Sequence, residues 1–170
     1  FFLIWHIFLE FSSIVMSFSV FAVTFYTFEE SNRLRSILIA CTFLAVSLLD
    51  LFHTFSYKGM PVFLTEASVD KATTYWILAR LTMACGLFIA TLIPCDKKVK
   101  RNQQGLWLIM TLVYSVYWLI MVSYRIDSFP PLFIEGYGLT PLKIYAEYLI
   151  IFIQILAAVM FFRAFIEGDC

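Results

Sequence analysis

Charge is what this chain has least of. Asp, Glu, Lys and Arg make up 14% of its 170 residues, against 62% hydrophobic residues. A soluble domain carries about 25% charged and about 45–50% apolar residues, so a water-soluble core is excluded. The few charges cancel to a net of zero, which leaves no electrostatic basis for a nucleic-acid partner. Histidine occurs only twice and cysteine four times. No CxxC or CxxH spacing appears, so the cysteines form neither a thiolate metal knuckle nor a disulfide framework. Cys41 and Cys85 fall within apolar runs and behave as small hydrophobes, while Cys95 and Cys170 are expected to face a reducing cytoplasm. Low-complexity linkers and internal repeats are also missing, which favours one structural unit.

What the chain has instead is five long apolar runs. They span Phe2–Phe28, Ser36–Ser56, Thr74–Pro94, Gly105–Tyr124 and Pro141–Phe165. About 20 apolar residues make a helix long enough to cross a hydrocarbon layer about 30 Å thick, and within that layer each backbone group must be bonded internally. The expected fold class is therefore all-α, an integral membrane helical bundle with five predicted transmembrane helices. The first run is too long for a signal-peptide core and lacks a basic leader and a small-residue cleavage pattern. A chain that opens on Phe1 without an initiator methionine reads as an excised piece of a longer protein.

Lys and Arg in short loops set orientation. Arg33 and Arg35 follow the first run, Lys97, Lys98, Lys100 and Arg101 follow the third, and Arg163 ends the fifth. The opposite side carries only Lys58, Lys71, Arg125 and Lys143. This bias predicts an N-terminus outside and a cytoplasmic C-terminus, with the basic third loop near anionic lipid.

Ionisable residues within spans are rare and usually face the bundle interior. Here they gather at one depth. His6 and Glu10 stand at i, i+4 in the first span, Asp50 and His53 at i, i+3 near the end of the second, Arg80 roughly two turns into the third, and Lys143 and Glu147 at i, i+4 in the fifth. At about 1.5 Å rise per residue all lie within roughly 5–12 Å of the outer rim. His6, Glu10, Ser13 and Ser17 form one helical stripe, Asp50, His53 and Tyr57 a second, and Lys143, Glu147 and Gln154 a third. A lipid-facing carboxylate costs several kcal/mol, about 3 at a helix centre, so these stripes turn inward. Tyr57 and Lys58 form the rim of the resulting pocket. Interhelical ion pairing would account for a single member such as Arg80. It does not account for two histidines, three carboxylates and two cations together. Trp5, Tyr57, Tyr75 and Trp76 read as interfacial aromatics. In EGYGLTPLK, Gly136 and Gly138 permit tight turns, and Thr140 and Pro141 open the fifth helix as N-cap and first residue. Glu135 and Lys143 flank that start.

Four motifs carry a resemblance. H-x-x-x-E-F-x-S in the first span, L-L-D-L-x-H-T-x-x-Y-K-G-M in the second, W-I-x-A-R-L in the third and E-G-x-G-L-T-P-x-K-x-x-x-E-Y before the fifth occur in this order. The set resembles the third type of the MASE class of bacterial membrane-associated sensor domains and covers nearly the whole chain. The resemblance implies an N-terminal sensory module of a histidine kinase or diguanylate cyclase in the bacterial inner membrane. It implies that residues 1–170 form a single transmembrane sensor domain, that further spans follow Cys170 in a larger bundle, and that cytoplasmic kinase or cyclase domains lie beyond.

The expected function is thus detection of a small molecule, ion or quinone-like lipid by the outer polar layer, with no catalytic turnover of its own. The candidate ligand-binding residues are His6, Glu10, Asp50, His53, Tyr57, Lys58, Arg80, Glu135, Lys143 and Glu147. A second reading is a haem- or metal-binding protein, in which His6 and His53 are axial ligands or join Glu10 and Asp50 in a two-histidine, two-carboxylate divalent-metal site. An intramembrane hydrolase, in which a metal activates water, is the third. It finds little support with only two histidines and no Ser–His or Cys–His pair. Membrane lipids and a second copy in a homodimer are the remaining expected partners.

Overall fold

The computed structural model describes residues 2–167, without the side chains of residues 2, 29–31 and 101. Five long helices account for most of it: α1 Phe2–Ser31, α2 Leu34–Ser56, α3 Val69–Leu92, α4 Gln104–Tyr124 and α5 Pro141–Glu167. All five are long and apolar enough to cross a membrane. Single 3₁₀ turns precede α4 and follow it, and a two-stranded hairpin, β1 Phe133–Ile134 against β2 Gly138–Leu139, precedes α5. The protein is an all-α membrane bundle.

Helix α2 is its axis. It packs against α1, α3 and α4, while α5 lies along α3. Some 72% of its most apolar window is buried, against 28% for α3 and none for α1. The outward faces of α1, α4 and α5 carry exposed large apolar residues such as Phe8, Val23, Ile109, Val113, Phe152 and Phe162. Lipid tails are as apolar as these side chains, so helices in a bilayer associate through close packing and polar contacts rather than hydrophobic expulsion. The α2–α3 seam follows that rule. Ala40 and Ala45 on α2 and Ala72, Ala79, Ala84 and Ala90 on α3 are buried almost completely. Gly86 lies so close to Thr42 that a Cβ there would collide with the threonine side chain. Larger residues flank this seam: Leu49, Tyr75 and Val122 cluster where α2, α3 and α4 meet, and Ile77, Leu132 and Ile150 pack around Ala84 where α5 joins.

The loops tie the two ends of the bundle. At one end the basic loops expected on one side do meet: Arg33 and Lys98 form an antiparallel bridge, with Leu34 N donating to Lys97 O at 2.8 Å and Val99 N to Asn32 O at 2.8 Å. Arg35 is not a loop cation as its surroundings suggest. It occupies the first turn of α2, buried, with its guanidinium 4.6 Å from the Phe161 ring centre and Nη1 2.6 Å from Cys95 Sγ.

Three expectations need correction. Helix α3 begins at Val69 rather than Thr74, because Ser68 caps it by accepting from Lys71 N at 3.2 Å; Arg80 consequently lies about three turns into the helix. Tyr75 is not an interfacial aromatic. It is fully buried, its hydroxyl donating to Leu119 O and pairing with Ser123 Oγ, both at 3.0 Å. Cys95, expected to be reduced, is disulfide-bonded. Cys41 and Cys85 are free, and Cys170 lies outside the described residues.

Candidate functional site

At the other end of the bundle the ten candidate residues separate into three groups. The first joins α1 to α2. One ligating atom each from His6, Glu10 and His53 lie within 4.8 Å of one another. The i, i+4 spacing places His6 and Glu10 on one face of α1, and His53 comes from the last turn of α2. The His6 and His53 rings meet edge-on, with centroids 5.9 Å apart, and the Tyr57 ring covers His6 at 4.4 Å.

His53 is oriented by the backbone of a third helix. Its Nδ1 lies 2.7 Å from the carbonyl oxygen of Ala72 in the opening turns of α3. A carbonyl only accepts, so Nδ1 carries a proton, and in the neutral form of the ring the lone pair is at Nε2. That Nε2 is buried and has no hydrogen-bond partner among the described residues. Glu10 Oε1 stands 3.8 Å away, too far for a hydrogen bond. Such a buried, aimed acceptor with nothing bonded to it is uncommon in folded proteins and calls for an explanation.

The second group runs from α2 across α3 to α5. Of the partners open to it in the sequence, Asp50 takes Arg80, whose Nη2 donates to both carboxylate oxygens at 2.9 Å. Asp50 is wholly buried, while the Arg80 side chain keeps 21% exposure. The Arg80 guanidinium and the Lys143 ammonium both sit over the Trp76 ring, at 5.8 and 5.1 Å from its centre. Lys143 also donates to Glu147 at 2.6 Å. Trp76 is thus a cation platform between helices rather than a belt aromatic. A cleft of about 380 Å³ opens beside it, lined by Trp76, Arg80, Glu147 and Gln154.

The third group is at the surface. Lys58 donates to Glu135 Oε1 at 2.8 Å, but both side chains are exposed. The hydrogen bond and charge of each hold the Glu135 carboxyl below its usual range and the Lys58 ammonium above its own. This contact joins the loop after α2 to the hairpin.

Asp70 was not a sequence candidate, yet it fixes the hairpin. Its Oδ1 accepts from the backbone N–H groups of Leu132 and Phe133 at 2.8 and 2.9 Å. Thr140 closes the same unit, with its N–H donating to Leu132 O at 3.0 Å and its hydroxyl accepting from Lys143 N at 3.4 Å. The turn between the strands uses Gly136 and Gly138, both at φ +88°, where a side chain is strained.

An apolar bundle with buried ionisable residues gathered at one end defines a polytopic membrane protein with a candidate ligand or ion site. Its family is MASE3, a membrane-associated sensor domain, whose model matches residues 1–167. The chain belongs to that family. No curated protein and no solved structure matches it.

Proposed function

We propose that this bundle is the sensory input of a bacterial signal-transduction protein, a histidine kinase or diguanylate cyclase. In this reading it detects a small ligand or ion at the His6–Glu10–His53 group and passes a change in helix packing to cytoplasmic output domains. The observation that carries the proposal is the buried His53 Nε2, which faces Glu10 across 3.8 Å and has no hydrogen-bond partner among the described residues. A buried, oriented ring nitrogen that the described residues leave unpaired suits ligand binding better than packing. The three helices that meet there supply the lever. His6 and Glu10 belong to α1, His53 to α2, and the carbonyl that orients it to α3. A ligand acts only through different affinity for two packings of these helices. Stiff helices then carry the displacement to the basic end of the bundle. The chain binds and transmits, and catalysis belongs to the output domains.

In the full-length protein, with membrane insertion verified, His6→Ala, Glu10→Gln and His53→Ala are each expected to change kinase or cyclase output at least fivefold, a coupling of about 1 kcal/mol. Cys85→Ser should leave output unchanged. Parental output from all three site variants, inserted at normal levels, would reduce the cluster to scaffold.

The proposed orientation puts the site at the extracytoplasmic face of the inner membrane, with the N-terminus outside. Single cysteines at positions 58 and 98 should then label differently in intact cells, 58 strongly from outside and 98 only after permeabilisation. Strong external labelling at 98 would invert the arrangement.

A further inference from the structure

We infer that His6, Glu10 and His53 form a binding site for a divalent first-row transition-metal ion. The inference deepens the sensor reading by naming the ligand class, and it rests on that reading only for the consequence in signalling.

Imidazole nitrogen and carboxylate oxygen are the donor types such ions take, two nitrogens and one oxygen being a common set. Hard cations such as Ca²⁺ and Mg²⁺ select oxygen-only cages. The donors are already close. Ligands at about 2.0–2.2 Å from a common ion stand roughly 3.0–3.6 Å apart. Here the His53 Nε2–Glu10 Oε1 separation is 3.8 Å and all three atoms lie within 4.8 Å. Closing the set needs a movement of about an ångström.

The second observation is the state of His53. It is 6% exposed, and its Nε2 has no partner among the described residues. Its Nδ1–H is held by the Ala72 carbonyl at 2.7 Å, the outer contact that fixes tautomer and ring direction in metal-binding histidines. Charge fits as well. Asp50 is neutralised by Arg80, so Glu10 is the anion the cluster presents to a dication. Three protein donors leave a coordination position open for water or an exchangeable anion, the pattern of a reversible site rather than a closed structural one. A porphyrin between the histidines fits less well, because the Glu10 carboxylate shares their gap and the Tyr57 ring stands 4.4 Å from His6.

The consequence for signalling is mechanical. Two donors ride on α1 and one on α2, so an ion drawing them together pulls α1 toward α2 at this end of the bundle.

The test uses the full-length protein in lipid nanodiscs, stripped with a chelator and titrated with Co²⁺ as an optical probe. One equivalent per chain should develop a visible ligand-field band that Zn²⁺ abolishes by competition. His53→Ala and Glu10→Gln should weaken Co²⁺ binding at least tenfold, and Asp127→Asn, at an exposed carboxylate after α4, less than threefold. X-ray absorption of the Zn²⁺-loaded parent protein should show imidazole in the first shell, which keeps the inference testable if a variant fails to fold. No band, unchanged affinity in a folded His53→Ala variant, a shell without imidazole, or haem absorption as purified would each overturn it. If the ion binds as stated and output ignores it, the site stands and its sensory role falls. If output follows His53→Ala while no ion binds, the sensory role stands and the metal falls.

Discussion

Arg80→Ala is expected to destabilise the bundle by about 3–5 kcal/mol, the usual cost of removing one partner from a buried ion pair. Asp50 is wholly buried and both of its oxygens accept from Arg80 Nη2. Without the guanidinium it must stay charged without a partner or take up a proton. Interhelical hydrogen bonds in membranes average only about 0.6 kcal/mol, because the inserted but unpacked helices find other partners. An ionised carboxylate is a different case, since it costs about 2.5–3.5 kcal/mol at a helix centre even where snorkelling and water defects relieve it. The larger figure therefore applies. A double variant, Asp50→Leu with Arg80→Met, should recover most of the loss, because it removes both charges and fills the space with apolar atoms. The measurement is unfolding of the purified protein in bicelles for both single variants and the double. A double variant as unstable as the sum of the two singles would show that the pair is not coupled.

Much of this architecture is legible in the amino-acid sequence, and the reasons differ from part to part. Span number follows from hydropathy, because a bilayer demands about 20 apolar residues whatever the tertiary packing. Which span becomes the axis is harder to see, since all five are apolar. Alanine content does not single it out, because the fifth run holds four alanines and the second only two; Gly86 marks the close approach only once α2 and α3 are seen side by side. The start of α3 was lost because Ser68-Val69-Asp70-Lys71 looks too polar for a span. Its helicity comes from the Ser68 cap. The polar stripes placed these ionisable residues at one end of the bundle, as the helices do. They left Asp50 open between Arg80 and a histidine ring nitrogen, because that choice depends on how the helices are rotated against one another; the structure gives it to Arg80. The features least visible were those that use the backbone. The Ala72 carbonyl that orients His53, and the Leu132 and Phe133 amides held by Asp70, leave no trace in side-chain spacing.

Asp70→Ala is expected to release the hairpin before α5 by about 2–4 kcal/mol without unfolding the bundle. Two hydrogen bonds from backbone amides to one charged oxygen are lost, at about 1.5–3 kcal/mol each, and partial exposure of the site reduces the sum. The loss is local because the hairpin touches the bundle mainly through this carboxylate and Leu132, which packs with Ile77 and Ile150. Hydrogen exchange should speed up most at the amides of Leu132 and Phe133, while the centres of α2 and α3 stay protected. Asp70→Asn retains an acceptor in the same place and should restore part of the protection. Asp70 also sits in the first turn of α3, two residues before the Ala72 carbonyl that holds His53. A first turn freed from the hairpin would loosen that carbonyl, so the sensor reading further expects Asp70→Ala to shift output in the same direction as His53→Ala, by a smaller factor. Unchanged exchange at residues 132 and 133 would mean that Asp70 does not hold the hairpin. Faster exchange with parental output would separate the hairpin from the site.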